Sequence, residues 1–151
     1  MLVHAIANEI GAVLFDISCD NLVGKYPGKK GTEKLMHMVF KVARGFQPSI
    51  ILMRDAELGF MKKPPKKDAR DPKRLKKDLP KTMKTLFPGE RVLLMGCSDQ
   101  AWLGDMKALN GVFQRYIRVP DATYGTRRLL WQHFCEKFGA TNIDQTLLRY
   151  A

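Results

Sequence analysis

The sequence predicts an α/β fold, a parallel sheet flanked by helices, and three observations carry that expectation. Short apolar runs without a polar break recur along the chain, as in Ile50-Ile51-Leu52-Met53. Such a run suits a strand buried on both faces. Between the runs lie segments whose apolar residues recur three and four apart, the spacing of one helix face. Strands and helices then alternate, and alternation of this kind makes a parallel sheet.

Each element has its own signal. Leu2, Val3, Ala5, Ile6 and Ile10 recur at helical spacing, with Gly11 placed as the C-terminal cap. Ala12 to Ser18 follows as a buried strand, and Cys19 to Gly31 is a loop by its Gly, Pro and Asn content. Thr32 is placed to N-cap a helix carrying Leu35, Met36, Val39, Phe40, Val42 and Ala43, ended near Gly45. Ser49 to Met53 is the second strand. Asp71 is a plausible N-cap with Pro72 at the first helical position, and Leu75, Leu79 and Met83 then form one apolar stripe. Pro80 should kink that helix. Arg91 to Gly96 is a third strand and Arg115 to Pro120 a fourth, with a short helix and a loop between them. Two helices close the chain. One spans about Tyr124 to Phe138, with Leu129, Leu130, Trp131, Phe134 and Phe138 apolar; the other spans about Ile143 to Tyr150.

At 151 residues the chain suits one domain, large enough to bury roughly 70% of its unfolded surface. No apolar stretch reaches the ~18 residues a membrane span needs, and the start has no basic n-region, so neither a membrane segment nor a signal peptide is expected. Cys19, Cys97 and Cys135 are widely spaced and form no C-x-x-C pair, which suits reduced, intracellular thiols. With only His4, His37 and His133 beside them, no metal site is expected.

Net charge, at +11, is the one unusual total. Between Met61 and Thr85 eleven Lys and Arg stand against three Asp, so most of the excess sits in one segment. Lys62, Lys63, Lys66, Lys67, Arg70, Lys73, Arg74, Lys76 and Lys77 are its core. A block of this kind favours acidic partners, or is a solvated basic surface. No aromatic is interleaved, which removes a stacking platform for single strands. There is no helix-turn-helix, RRM or zinc spacing either, so nucleic acid is not an expected partner.

Taken in order, the elements resemble the AAA-type ATPases. "SCDNLVGKYPGKKGTEKLMHMVFKVARGFQPSIILMRDAE" is similar to that family's run from its second strand to Walker B. "RVLLMGCSD" resembles the fourth strand with sensor 1, "GVFQRYIRVP" the segment entering the fifth strand, and "TRRLLWQHF" the first helix of the small lid. Within the family, "GKYPGK" and "HMVFKVAR" look most like the ciliary proteins with IQ motifs and an AAA domain, associated with the dynein regulatory complex. The resemblance implies a P-loop-NTPase-like AAA core over residues 1–121 and the beginning of a helical lid over 122–151. It also implies ATP and Mg²⁺ as cofactors, and partners that are AAA neighbours in an oligomer or axonemal and microtubule proteins. The implied location is cytoplasmic and cytoskeletal, in the axoneme of a cilium or flagellum.

The same resemblance assigns site residues and marks departures. Arg54 stands where the family has the magnesium-holding Asp, Asp55 falls at the catalytic Glu, and Glu57 at a later acidic position. A guanidinium has donors and no lone pair to give a metal. Asp99 matches sensor 1, and Arg115 matches one of the two arginines that act across the subunit interface, the other falling at Val112. Lys25, Tyr26 and Gly28 match the pore loop that grips a threaded polypeptide, with Pro27 stiffening it. No G-x-x-x-x-G-K-[ST] loop is present to cradle phosphates. The resemblance therefore implies that Met1 is an internal methionine of a longer protein, and that the first strand, central in the family's sheet, is missing. The expected function is an AAA domain that hydrolyses ATP weakly or not at all and serves a ciliary scaffold. The alternative is a non-enzymatic module that docks acidic partners such as tubulin tails through Lys62 to Lys84.

Overall fold

A computed structural model of the chain describes residues 1–62, 73–87 and 89–139. Its contacts group them into two units, Met1–Arg115 and a second from Tyr116 onward. The first unit holds three parallel strands, β1 (Val13–Asp16), β2 (Ser49–Met53) and β3 (Val92–Gly96), in the order β1-β2-β3. In register, Leu14 and Leu93 flank Ile50, while Phe15 and Leu94 flank Ile51. All five residues of β2 are buried, as expected of an unbroken apolar run in the middle of a sheet.

Helices cover the two faces unequally. On one side lie α2 (Gly28–Gly45) and α4 (Lys73–Met83). Leu35, Met36, Phe40, Ala43, Leu75 and Leu79 there join Ile51, Met53 and Leu94 in the main core. The other side carries α1 (Leu2–Glu9), whose Val3 and Ala7 pack on Ile50 and Leu52. α4 continues through Pro80, with Leu75 and Leu79 fully buried as the apolar stripe requires. Arg44, near the end of α2, ties that helix to the approach to β3. Its guanidinium reaches Glu90 Oε1 at 3.1 Å and donates to the Thr85 carbonyl at 2.6 Å. Short helices α3 (Ala56–Gly59) and α5 (Met106–Asn110) follow β2 and β3.

Three elements differ from expectation: the first strand, expected as a buried run over Ala12 to Ser18, spans only Val13–Asp16, with Val13 exposed and the other three half-buried. Thr32 is no N-cap: α2 begins four residues earlier, at Gly28, and the Thr32 hydroxyl donates back to the Gly28 carbonyl at 3.2 Å inside the first turn. Pro27, extended, and Gly28, at φ +72°, turn the chain directly into the helix. The fourth strand, Arg115 to Pro120, is also absent. No strand is formed there, and Tyr116, Ile117 and Val119 are 58%, 86% and 69% exposed. An apolar run becomes a strand only where a neighbouring strand completes its hydrogen-bond ladder.

In the second unit α6 spans Tyr124–Phe138, the range that the apolar pattern predicts. Thr123 caps it, its hydroxyl accepting from the Thr126 N–H at 3.4 Å, and Gly139 at φ +69° closes the C-terminal end. Asp71, Pro72 and the closing helix from Ile143 to Tyr150 lie outside the described residues.

Candidate functional site

In an open parallel sheet, ligands bind where the strands deliver their carboxyl ends. Three sequence-predicted residues fall there. Arg54 and Asp55 follow β2 directly, Asp99 comes three residues after β3, and all three are exposed. The site gains a residue that the sequence did not single out: Asp16, the last residue of β1. Arg54 Nη2 contacts Asp16 Oδ2 at 2.9 Å. The other carboxylate oxygen, Oδ1, accepts from the Ser18 N–H at 2.9 Å and from the Ser18 hydroxyl. That hydroxyl in turn accepts the Arg54 backbone N–H at 2.8 Å. The ends of two neighbouring strands are thus stitched through one carboxylate, one hydroxyl and one guanidinium. The signal in the sequence was faint: an acidic residue two before a serine at one strand end, and an arginine at the next.

The two predicted catalytic carboxylates diverge. Asp55 adopts the left-handed conformation, φ +49°, and is exposed. Glu57, on α3, is only 5% exposed, and its Oε2 has no hydrogen-bond partner among the described residues. The Ala56 N–H donates to the Cys97 carbonyl at 2.9 Å, so the backbone passes from β2 into α3 while still tied to the end of β3. No three His, Cys, Asp or Glu side chains gather among the described residues. Magnesium, implied by the resemblance, does not fit these residues: Arg54 is a cation already paired with Asp16, and the described carboxylates do not converge.

The loop matched to the pore is fixed from an unexpected side. Tyr26 has φ +51° and packs partly against the main core, with Lys25 exposed beside it and Gly28 at φ +72°. A Cβ on Gly31 would overlap the Tyr26 carbonyl, so glycine is needed where the loop lies on the first turn of α2. From α4, Arg74 donates to the carbonyls of Leu22 at 2.7 Å and Lys25 at 2.8 Å, with Tyr26 O at 3.5 Å. Arg74 was predicted as part of a basic contact patch; its guanidinium instead braces this loop. Lys76 is similarly engaged, 2.9 Å from Asp105 Oδ2. Of the rest of the patch, Lys62 and Lys77 are exposed, whereas Lys63, Lys66, Lys67, Arg70 and the Lys73 side chain lie outside the described residues.

Arg115 is exposed and lies outside any helix or strand, while Val112 is buried. A concavity of about 520 Å³ opens between α2 and α4, over Met36 and Phe40, and none of the sequence-predicted site residues lines it. Cys19 is buried, Cys97 exposed and Cys135 half-buried, and none of the three is in a disulfide. No described helix is long and apolar enough to cross a membrane.

Comparison with known proteins places these features among relatives. The model of the ATPase family associated with various cellular activities (AAA) matches residues 1–121. Dynein regulatory complex protein 11 of Mus musculus is 42% identical over 145 residues, covering 92% of this chain and 17% of that protein. Spastin of Ixodes scapularis is 32% identical over 140 residues, covering 91% of this chain and 21% of its own length. The chain thus spans about a fifth of the curated relatives it matches. Among solved structures, the FIGL-1 AAA domain in complex with ADP superposes with a TM-score of 0.68 at 22% identity, over 96% of this chain and 46% of that one.

Proposed function

The chain belongs to the AAA family of ATPases, and from that membership we propose that it is a degenerate AAA module with a scaffolding role in an axonemal assembly. The family binds ATP with Mg²⁺. One observation supports the departure from family chemistry: the Arg54 guanidinium, at the position that the resemblance gives to the metal-holding Asp, is paired with Asp16 at 2.9 Å. Asp55 and Glu57 do not replace it, one exposed in a left-handed conformation and the other buried on α3. Asp99 as sensor 1, Arg115 as the interface arginine, and the division into a core over 1–121 and a lid over 122–151 belong to the same proposal. So does the pore-loop role of Lys25, Tyr26 and Gly28. The likeness to a dynein regulatory complex protein supports a cilium or flagellum as the location and axonemal proteins as partners.

The test is isothermal titration of this chain with Mg-ATP. No heat of binding is expected in the micromolar range, because this sequence offers neither a glycine-rich phosphate cradle nor a carboxylate at the metal position. A micromolar dissociation constant would sink the degenerate-module proposal.

A second function, docking of acidic partners such as tubulin tails, is favoured by the exposure of Lys62, Lys77, Lys81 and Lys84. The test is co-sedimentation with microtubules that keep or lack their acidic tails. The variant carries Gln at Lys62, Lys63, Lys66, Lys67 and Lys77, and spares Arg74 and Lys76 because both are bonded within the fold. Docking predicts loss of binding on removal of either set of charges, and steep weakening with salt over a Debye length of ~8 Å. Equal sedimentation in all four pairings leaves the segment as a solvated surface.

A further inference from the structure

We propose that Arg54 is a built-in substitute for a divalent cation, so that the rim formed by the ends of β1 and β2 is a metal-free centre closed by Asp16. The inference deepens the degenerate-module proposal and rests on it for the identity of the position. Its physical ground is separate. Asp16 and Arg54 lie at the ends of neighbouring parallel strands, with Asp16 in register with Leu52. An ion shared by these two ends would draw on oxygens from these positions.

Both carboxylate oxygens of Asp16 and the hydroxyl of Ser18 are already committed. Asp16 Oδ2 takes the guanidinium, and Oδ1 takes the Ser18 N–H and hydroxyl. Ser18 Oγ accepts from the Arg54 N–H. A hard cation needs several oxygen ligands at once, and here it would have to displace a covalently tethered positive charge to obtain the first. Repulsion from that charge acts at close range even where solvent screens it. The tether also changes the thermodynamics. An ion is lost by dilution or chelation, whereas Arg54 is always present and permanently charged. The rim therefore keeps one arrangement whether or not divalent cation is available.

Charge exchange at one position tests this. Arg54→Asp would place two carboxylates from adjoining strand ends beside the Ser18 hydroxyl. The probe is Mn²⁺, followed by electron paramagnetic resonance on the 151-residue chain, its Arg54→Asp variant, and the double variant Arg54→Asp with Asp16→Asn. Circular dichroism checks that each is folded. The parent chain should leave Mn²⁺ free. Arg54→Asp should bind about one ion, at least about tenfold more tightly than the parent, because the local charge swings by two units. The double variant should lose that binding. Because Arg54→Asp creates a like-charge pair and can unfold, Arg54→Asn is measured alongside. It removes the cation and offers an amide oxygen, and Mn²⁺ should raise its thermal midpoint but not the parent's. Mn²⁺ bound by the parent through Asp16, or left free by the folded single variants, overturns the proposal. ATP is absent throughout, so this outcome is independent of the Mg-ATP titration. Nucleotide binding without metal binding would sink the function and leave this inference standing.

Discussion

The sheet face bearing Ile51, Met53 and Leu94 lies under two helices of 18 and 11 residues, whereas the face bearing Ile50, Leu52 and Leu93 is covered by one of eight. On β2, which is central, the difference vanishes, since both sets of side chains are buried. It appears on β3, an edge strand, where Leu94 is 8% exposed and its neighbour Leu93 is 52% exposed. The two leucines have the same chemistry and adjacent positions. Only the layer above them differs. An unbroken apolar run therefore specifies a strand, but the number of faces it buries is set by what else packs there.

The largest effect sharpens that contrast with a single substitution type. Leu79→Ala, at a fully buried position on α4, removes core packing and should cost about 2–5 kcal/mol. Leu93→Ala, on the thinly covered face, should cost less than about 1 kcal/mol, mainly through lost strand propensity. Urea denaturation with equal m-values measures both. Comparable losses would mean that Leu93 is covered in solution, and the asymmetry between the faces would disappear.

The second effect asks whether α4 does more than cover the thick face. Arg74→Ala removes three donor contacts to the loop that carries Tyr26 and should cost about 1–2 kcal/mol, discounted for partial exposure. Hydrogen exchange across residues 22–28 should rise selectively. Arg74→Lys should not restore protection, because an ammonium is a point donor and cannot reproduce a planar fork spanning several carbonyls. Lys77→Ala, an exposed neighbour on the same helix, is the control and should leave exchange unchanged. If Arg74 and Lys77 behave alike, α4 acts on the sheet alone.

These particulars also divide what was legible in the sequence from what was not. β2, the buried stripe of α2 and the bounds of α6 follow from local periodicity and caps, which are properties of short windows. At the start of α2, Thr32 has N-cap chemistry, but Pro27 and Gly28 supply the turn four residues earlier by backbone conformation alone. Arg115 to Pro120 has the local pattern of a strand, but strand formation requires a partner edge, which no window contains. The site was half legible. Arg54 was visible as a cation where a carboxylate belongs, but its acceptor, Asp16, is 38 residues earlier in the chain. Arg74 and its carbonyl acceptors are separated by 48 to 52 residues, and only the packing of α4 against the Tyr26 loop joins them.

The smallest effect lies at the polar edge of the same helix, where Lys76 meets Asp105. Asp105 also caps α5, accepting from the Lys107 N–H at 3.2 Å. The Lys76 hydrogen bond, followed by the charge of that ammonium and the backbone donors, holds the carboxyl below its ordinary value of 3.8. A depressed carboxylate pKa favours the folded state wherever the group is ionised in both states. Its contribution is therefore fully present above about pH 4, is lost as pH falls through the folded-state value, and is absent once both states are protonated. Lys76→Gln removes the leading cause, so parent and variant should differ in urea midpoint near neutral pH and converge in acid. The pair is half-buried and still reached by solvent, so added salt should narrow the gap at neutral pH as well. Parallel midpoint curves across the acid range, or a gap indifferent to salt, would show that Lys76 serves α4 by packing its stem rather than by its charge. The thick face would then owe nothing to electrostatics along this edge.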